Sequence, residues 1–209
     1  MNIVLIGYRG TGKSHVGRLV SKRLKMGCVS MDGRIVEKAG IAIPEIVQRY
    51  GWPGFRDLES EVARELAGRD NLVIDTGGGV IERPENIEVL RANGLVVWLK
   101  ASVAAIVARI QGGTERPALT AGKSFTDEVA EVLARRTPMY QEAATFEIDT
   151  DACGVQEVAR PGPIAAILPA PPEVFPESGR PCRNSRWWWS TRRSPDRRKK
   201  LSPWRRSHR

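Results

Sequence analysis

The sequence predicts an α/β fold of three layers, with helices on both faces of a central, mostly parallel five-stranded sheet. Two observations carry this prediction. Short apolar runs alternate with helical patterns along residues 1–159, which is typical of βαβ units. A glycine-rich loop also joins the first apolar run to the first helical pattern. The strand candidates are residues 2–6, 27–31, 71–75, 95–99 and 145–149.

The first strand candidate leads into a phosphate-binding loop. After "NIVLI", the stretch "GYRGTGKSH" at residues 7–15 fits the pattern G-x-x-x-x-G-K-[ST]. In such a loop the glycines let backbone N–H groups turn toward phosphates, Lys13 reaches the outer phosphates and the Ser14 hydroxyl can bind Mg²⁺. The helical spacing of apolar residues 16, 19, 20 and 24 aims a helix N-terminus at the anion. A chance glycine loop is the alternative, which the flanking strand and helix disfavour.

The later segments show two helical patterns and one irregular stretch. A stripe of apolar residues at 55, 58, 62 and 66 closes at Gly68, and "PENIEVLRANG" begins with a proline and has Gly94 as its stop. Residues 111–125 contain glycines, a proline and cations, and they predict a mobile loop. This loop is either a lid over the nucleotide or an ordinary surface loop.

Composition narrows the cellular setting. The most apolar stretch, residues 94–110, contains Lys100 and Arg109, so no membrane span is expected. No signal peptide is recognisable before the phosphate loop. The cysteines at 28, 153 and 182 are scattered and odd in number, which favours neither a disulfide framework nor a zinc site. We therefore expect a cytoplasmic protein.

The net charge of +9 is concentrated at the end of the chain. Residues 160–209 hold 13 Lys+Arg and 3 Asp+Glu, a charge of +10, which leaves 20 and 21, a charge of −1, for residues 1–159. Proline and arginine dominate the same segment without an apolar period, so it should form no core. We predict a domain at 1–160 and a basic, disordered tail at 161–209. The tail is either a genuine arm or an out-of-frame reading of G/C-rich coding sequence.

Several residues near the predicted phosphate site are candidates for binding a second substrate. Asp32 follows the second strand, where its carboxylate could orient an acceptor hydroxyl or simply cap the helix. The three glycines at 77–79 remove side chains where a ligand could approach backbone N–H groups. Arg56 and Arg136 offer planar forks for a carboxylate or phosphate, and Glu59 is the expected local partner of Arg56.

Further stretches, in order after the loop, resemble the shikimate kinase family, which has a P-loop kinase fold with a lid loop. They are "SMDGRIVE" at 30–37, "GFRDLESE" at 54–61, "DTGGGV" at 75–80, "ERP" at 115–117 and "ARRTPMY" at 134–140. The resemblance covers about residues 1–159. It implies ATP-dependent phosphorylation of shikimate to shikimate 3-phosphate by a monomer that uses ATP and Mg²⁺.

The resemblance also implies a role for individual residues. Asp32 is the implied base, with Lys13 and Arg116 as further catalytic groups. The shikimate carboxylate is implied to bind to Arg56, Arg136 and the glycines Gly77, Gly78 and Gly79. The ring hydroxyls are implied to bind to Asp32. Arg116 would reach the phosphates from the lid, and Arg109 would lie near the adenine. The implied ATP-binding residues are Gly7, Arg9, Gly10, Thr11, Gly12, Lys13, Ser14, His15, Arg109 and Arg116.

The chain departs from the family pattern at three points. Ser30 stands where the family commonly has the first carboxylate of Asp-x-Asp, which helps to hold the water shell of Mg²⁺. We hypothesise that Asp75, at the end of the third strand, takes over that role through water. His15 replaces a small hydroxyl residue, and Pro161 interrupts the final helix that begins at 154–160.

Two other functions stay open at this stage. The chain could phosphorylate another small hydroxy acid or a nucleotide on the same fold, which would require other acceptor residues. It could also bind nucleic acid non-specifically through the basic, tryptophan-bearing tail. The near-neutral charge of residues 1–159 disfavours nucleic-acid binding as the main function.

Overall fold

The structure, a computed structural model, describes residues 1–110 and 125–151. These ranges contain five strands: β1 (Asn2–Ile6), β2 (Gly27–Ser30), β3 (Leu72–Asp75), β4 (Gly94–Lys100) and β5 (Phe146–Asp149). The helices are α1 (Lys13–Leu24), α2 (Met31–Ala39), α3 (Ile43–Ala67), α4 (Pro84–Ala92), α5 (Val103–Ile110) and α6 (Phe125–Ala143). A short 3₁₀ helix occupies Val80–Glu82.

The five strands form one sheet in the order β2-β3-β1-β4-β5, and all four pairings are parallel. The predicted parallel sheet is therefore confirmed. Because β2, β3 and β1 are neighbours, the segments that follow them meet at one edge of the sheet. That edge brings together the phosphate loop, the start of α2 and the triple glycine, and it is where open α/β sheets bind ligands.

Helices cover both faces of the sheet, as predicted. Side chains alternate along β1, so that Val4 and Ile6 pack in one fully buried cluster while Ile3 and Leu5 pack in another. The α-helical members of the first cluster come from α2, α3, α4 and the end of α6, and those of the second come from α1. The neighbouring strands contribute to both clusters. Both faces of the central strand are thus dry, which explains its unbroken apolar sequence.

At four of the five strands, one or both ends differ by one residue from the sequence prediction. Met31 begins α2 instead of ending β2, because the Ser30 Oγ accepts a hydrogen bond of 3.2 Å from the Gly33 N–H and caps the helix. The prediction that Gly94 is a helix stop is wrong. Helix α4 ends at Ala92, and Gly94 opens β4, where a Cβ would lie 2.5 Å from the Leu90 carbonyl oxygen.

Helix α3 is interrupted in its first half. Gly51 has φ 68° and ψ 177°, so the helix restarts just beyond it. The predicted apolar stripe on the second half is confirmed: Phe55, Val62 and Leu66 are buried, and the Gly68 N–H closes the helix on the Arg64 carbonyl. The interruption brings Trp52 and Phe55 to the ligand-binding edge of the sheet.

Some predictions fall outside the described residues. These are most of the lid, Arg116, the domain boundary near Arg160, the helix at 154–160 and the tail at 161–209. At the end of the predicted lid, Phe125 is already the first residue of α6. None of the helices within residues 1–110 and 125–151 is both long and apolar enough to cross a membrane.

Candidate active site

The loop after β1 has the backbone of a phosphate site. Gly7, Gly10 and Gly12 have φ values of 143°, 80° and 91°, which only glycine adopts readily. Gly12 is also the N-cap of α1, so the helix begins at the loop. The Lys13 Nζ lies inside the loop and donates hydrogen bonds of 2.9 Å and 3.0 Å to the carbonyls of Gly7 and Tyr8. The loop thus combines a concave backbone, a helix N-terminus and a buried ammonium group.

Other predicted nucleotide-binding residues lie within the loop, in the first turn of α1 or beside the loop. Ser14 and His15 are exposed in the first turn of α1. The Thr11 hydroxyl donates to the Tyr8 carbonyl at 2.8 Å and braces the loop. The Arg109 guanidinium donates to the Gly10 carbonyl at 3.3 Å, so Arg109 lies against the outside of the loop.

Arg9 belongs to the loop by its backbone, but its side chain points elsewhere. Arg9 lines a neighbouring cleft, and its guanidinium pairs with the buried Glu128 of α6 at 3.4 Å. It also lies over the Phe125 ring, 5.2 Å from the centroid. The structure therefore brings the Arg9 side chain to the acceptor side of the loop.

This cleft, which we call the acceptor cleft, lies beside the phosphate loop. All six residues that the sequence analysis assigned to the acceptor line it, although they come from four segments of the chain. The lining consists of Tyr8, Arg9, Asp32, Ile43, Trp52, Phe55, Arg56, Glu59, Gly77, Gly78, Gly79 and Arg136.

Asp32 lies in the first turn of α2 and lines the acceptor cleft. The capping alternative for Asp32 is wrong, because Ser30 is the N-cap and supplies the capping oxygen. A Cβ added to Gly77 would lie 3.0 Å from both the Asp32 Oδ1 and the Glu59 Oε1, so these two carboxylates flank the same glycine. The Asp32 carboxylate therefore lies close to the triple glycine, at the ligand-binding edge of the sheet.

Two arginines in the cleft are held by carboxylates. The predicted Arg56–Glu59 pair is confirmed, with 2.6 Å between the Arg56 Nη1 and the Glu59 Oε2. The Glu59 side chain is 1% exposed, and this burial raises the pKa of Glu59 against the opposing influence of the Arg56 guanidinium. The Arg56 and Arg136 side chains are only 12% and 6% exposed. Both guanidinium groups are therefore held in place by the protein itself, without a ligand.

The sequence analysis missed Glu82, which joins these two arginines. The Glu82 Oε2 lies 3.0 Å from the Arg56 Nη2, and its Oε1 accepts from the Nε and Nη2 of Arg136 at 3.0 Å and 2.6 Å. The Arg135 Nη2 adds a further contact of 3.1 Å to Oε1. Burial alone would raise the pKa of Glu82, but the guanidinium groups of Arg136, Arg56 and Arg135 hold it below its usual range.

Aromatic side chains, also missed, enclose the arginines. The Arg56 guanidinium lies 5.7 Å from the Trp52 ring centroid and 5.3 Å from that of Phe55. The Tyr140 hydroxyl donates to the Gly78 carbonyl, and burial raises the pKa of Tyr140, which keeps this hydroxyl protonated. Trp52 and Phe55 belong to "GWPGFR" and Tyr140 belongs to "ARRTPMY", but no rule of residue spacing predicts that these aromatic side chains lie around the arginines.

The triple glycine leaves space for neighbouring groups, and only at Gly79 would a Cβ force a neighbour aside by more than a few tenths of an ångström. None of its three residues has a φ in the left-handed region. A Cβ on Gly77 would approach Asp32 and Glu59, one on Gly78 would approach the backbone of the phosphate loop at 3.4 Å, and one on Gly79 would overlap Arg56. Each glycine therefore lets a different group of the site come close.

Asp75 ends β3 next to Ser30. The two residues are register partners in the sheet, and Asp75 also pairs in register with Leu5 of β1. The Asp75 side chain is buried at the edge where the phosphate loop begins. Within residues 1–110 and 125–151 no group of three or more His, Cys, Asp or Glu side chains is arranged to hold a metal ion.

Comparisons with known proteins agree with this arrangement. The family model described as shikimate kinase matches residues 9–161. The shikimate kinase of Nitratidesulfovibrio vulgaris is 40% identical over 162 residues, which cover 75% of this chain and 92% of that protein. The shikimate kinase of Geobacter sulfurreducens is 43% identical over 157 residues, covering 75% and 86%.

Solved structures show the same likeness in three dimensions. The shikimate kinase of Acinetobacter baumannii in complex with shikimate has a TM-score of 0.72 at 35% identity, over 76% of this chain and 88% of that one. The shikimate kinase of Aquifex aeolicus has a TM-score of 0.66 at 30% identity, over 76% and 92%. With a matching family model, relatives of this identity and the same fold, the chain belongs to the shikimate kinase family.

Proposed function

We propose that this chain transfers the γ-phosphoryl group of ATP to a hydroxyl of shikimate, giving shikimate 3-phosphate and ADP. One observation carries the proposal. The cleft beside the phosphate loop is lined by the carboxylate of Asp32 and by two fixed arginines, which suits a small acceptor with hydroxyl groups and a carboxylate. Membership of the shikimate kinase family supports the same acceptor.

In this proposal the acceptor carboxylate binds to Arg56, Arg136 and backbone N–H groups of the triple glycine. A guanidinium fork matches a carboxylate in two contacts, which fixes the orientation of the ring as well as its position. The ring hydroxyls then face Asp32, which is separated from the arginines by Gly77 and Glu59. Such orientation accounts for much of the rate that positioning can supply.

Asp32 accepts the proton of the acceptor hydroxyl as its oxygen attacks the γ-phosphorus, and the bond from phosphorus to the bridging oxygen of ADP breaks. Lys13 and the loop N–H groups stabilise charge on the transferring group. The other proposed nucleotide contacts are the backbone of residues 7–15, Arg109 beside the loop, and Arg116 from the lid.

The loop also fits Mg²⁺, which keeps several water ligands and takes few from protein. Ser14 would bind Mg²⁺ directly and Asp75 would bind it through water, since Asp75 is the register neighbour of the uncharged Ser30. When bound, Mg²⁺ neutralises charge on the phosphates. We expect Asp75→Asn to weaken Mg²⁺-dependent ATP binding, measured by calorimetry, and Ser30→Asp to restore it while still capping α2.

If Asp75→Asn leaves the Mg²⁺ dependence of ATP binding unchanged, Asp75 has no part in holding the metal. If Asp75→Asn weakens binding but Ser30→Asp fails to restore it, Asp75 does not take over the role of a carboxylate at position 30. The single variant Ser30→Asp, which keeps Asp75, is the matched control for the effect of the added charge.

The function itself is tested by coupled measurement of ADP release. We expect release with shikimate and Mg²⁺-ATP, and little with sugar acids, nucleoside monophosphates or buffer alone. Preference for another acceptor would replace shikimate in the proposal, and ADP release without any acceptor would make the chain an ATPase.

The proposal extends to a monomeric, cytoplasmic enzyme whose kinase domain ends near residue 160. The family match ends at residue 161, which supports this boundary. The basic residues beyond it are proposed to contribute, at most, non-specific affinity for nucleic acid.

A further inference from the structure

Glu82 pairs with the two arginines that are proposed to bind the acceptor carboxylate, although it does not itself line the acceptor cleft. It follows the triple glycine by three residues, and the 3₁₀ helix Val80–Glu82 turns its side chain back toward the arginines. Four guanidinium nitrogens from three arginines lie within 2.6–3.1 Å of its two oxygens. One residue of this chain thus already makes the kind of contact that an incoming carboxylate would make.

The contacts to Arg136 are the most informative. Nε and Nη2 form one edge of the guanidinium, and this edge is the fork that binds a carboxylate side-on. Both nitrogens donate to the same oxygen of Glu82, at 3.0 Å and 2.6 Å. An acceptor carboxylate that uses this edge must therefore share it with Glu82 or replace Glu82.

The charges around the acceptor cleft balance when Glu82 is included. Four guanidinium groups face four carboxylates, and each side chain is in an ion pair or at the cleft wall. The cations are Arg9, Arg56, Arg135 and Arg136, and the anions are Asp32, Glu59, Glu82 and Glu128. Without the charge of Glu82 the same groups would carry +1, which would match an acceptor with a single carboxylate.

Glu82 differs from Glu59 in its exposure. Glu59 is 1% exposed and belongs to the same helix as its partner, whereas Glu82 is 29% exposed at the end of a short 3₁₀ helix. The guanidinium groups keep Glu82 ionised by lowering its pKa. Glu82 is therefore a charged and comparatively accessible carboxylate, close to where an acceptor carboxylate would bind.

We propose that Glu82 is a specificity-determining residue that competes with the acceptor carboxylate for Arg56 and Arg136, so that acceptor binding is an exchange of carboxylates. This inference rests on the proposed function, since it assumes that the acceptor carboxylate meets these arginines. The cost of displacing Glu82 lowers the affinity for an acceptor with a carboxylate, whereas a neutral acceptor leaves Glu82 on the arginines and does not incur that cost. Neutral acceptors gain nothing from the arginines while Glu82 neutralises them.

The experiment measures acceptor binding by isothermal titration calorimetry of the full chain, with shikimate and its neutral methyl ester as probes. We expect Glu82→Gln to bind shikimate about tenfold more tightly than the wild type, equivalent to about 1.4 kcal/mol. The affinity for the methyl ester should change by less than about twofold. The control is Glu61→Gln, which removes a carboxylate that pairs with Lys38 at 2.6 Å rather than with the arginines of the cleft.

Weaker or unchanged binding of shikimate by Glu82→Gln would overturn the inference, because it would make Glu82 a brace for the arginines. An equal gain for shikimate and the ester would overturn it too, since the effect would not depend on the acceptor charge. Glu82→Leu removes the same charge and replaces the Gln variant if circular dichroism shows that the latter does not fold. A wild-type chain that neither binds nor phosphorylates shikimate would instead contradict the proposed function.

Discussion

Replacing Gly79 by alanine tests whether Arg56 binds the acceptor. Gly79 has φ −104°, so alanine adopts its backbone conformation without strain. The added Cβ would lie 2.5 Å from the Cζ and from the Nη1 of Arg56, and nearer still to Nη2. The guanidinium is the flexible end of a long side chain and must move aside. The substitution therefore displaces one arginine without altering its charge.

The expected size of the effect follows from the hydrogen bonds that a displaced Arg56 would no longer make. A hydrogen bond to a charged group contributes about 1.5–3 kcal/mol, which corresponds to about 10- to 150-fold in affinity. We expect the shikimate KM to rise by that factor and the ATP KM to change little. Moving Arg56 also weakens its pairs with Glu59 and Glu82, at 2.6 Å and 3.0 Å. A loss of about 1–3 kcal/mol there would lower the Tm by roughly 2–12 °C.

The assay is coupled ADP release with each substrate varied in turn, together with thermal unfolding. Gly68→Ala is the control, since Gly68 has φ −77°, lies at the end of α3 and leaves a Cβ 3.6 Å from its nearest neighbour. Equal changes in both KM values for Gly79→Ala would mean that Arg56 does not bind the acceptor. An unchanged shikimate KM in a folded variant would refute the reasoning outright.

Three further changes test other parts of the site. Lys13→Met should lower kcat by about 10²–10³, because the transferring phosphoryl group loses a preorganised cation, and near-normal turnover would contradict the role of the loop. Asp32→Asn should lower kcat by about 10²–10⁴ with little change in the shikimate KM, because an amide binds a hydroxyl but takes no proton. A chain ending at Arg160 should retain kcat and lose any salt-sensitive affinity for nucleic acid, which filter binding of the two chains would compare.

The sheet could be predicted from the sequence because β1 and β4 are buried on both faces. Their apolar runs are continuous, and glycine, proline or capping residues separate them from the helices. The phosphate loop was equally predictable, since its function depends on residue types at fixed spacing. The positive φ values of Gly7, Gly10 and Gly12 show that the same glycines are required by the backbone.

The boundaries that failed depended on contacts between distant residues. Gly94 has the sequence context of a helix stop, but its missing Cβ lets β4 approach the Leu90 carbonyl and Val4 of the central strand. Asp32 has the sequence context of a cap, yet Ser30 two residues earlier supplies the capping oxygen. Local propensity names several suitable residues in each case, and the packing of the sheet selects one.

Glu82 could not have been predicted for a related reason. In "GGGVIERPEN" it is one acidic residue among several, and the same stretch contains Arg83, which pairs with Asp57 at 2.7 Å on the surface. Only the 3₁₀ turn at Val80–Glu82 decides that residue 82 faces Arg56 and Arg136 while residue 83 faces Asp57 and Ser60 of α3. A short 3₁₀ helix has no hydrophobic period long enough to be recognised in a sequence.

The triple glycine shows why a motif can be found before its function is understood. Three consecutive glycines suggested a close approach of a ligand, but each one also admits a part of the protein itself. Gly77 admits Asp32, Gly78 admits the phosphate loop and Gly79 admits Arg56. These are the proposed base, the nucleotide site and the acceptor site, so one turn sets the distances among all three. Because no φ at the turn requires glycine, a change to alanine at Gly77 or Gly79 acts through the displaced neighbour, and its kinetic effect identifies what that neighbour does. A Cβ on Gly78 would meet the phosphate loop at an ordinary contact distance of 3.4 Å.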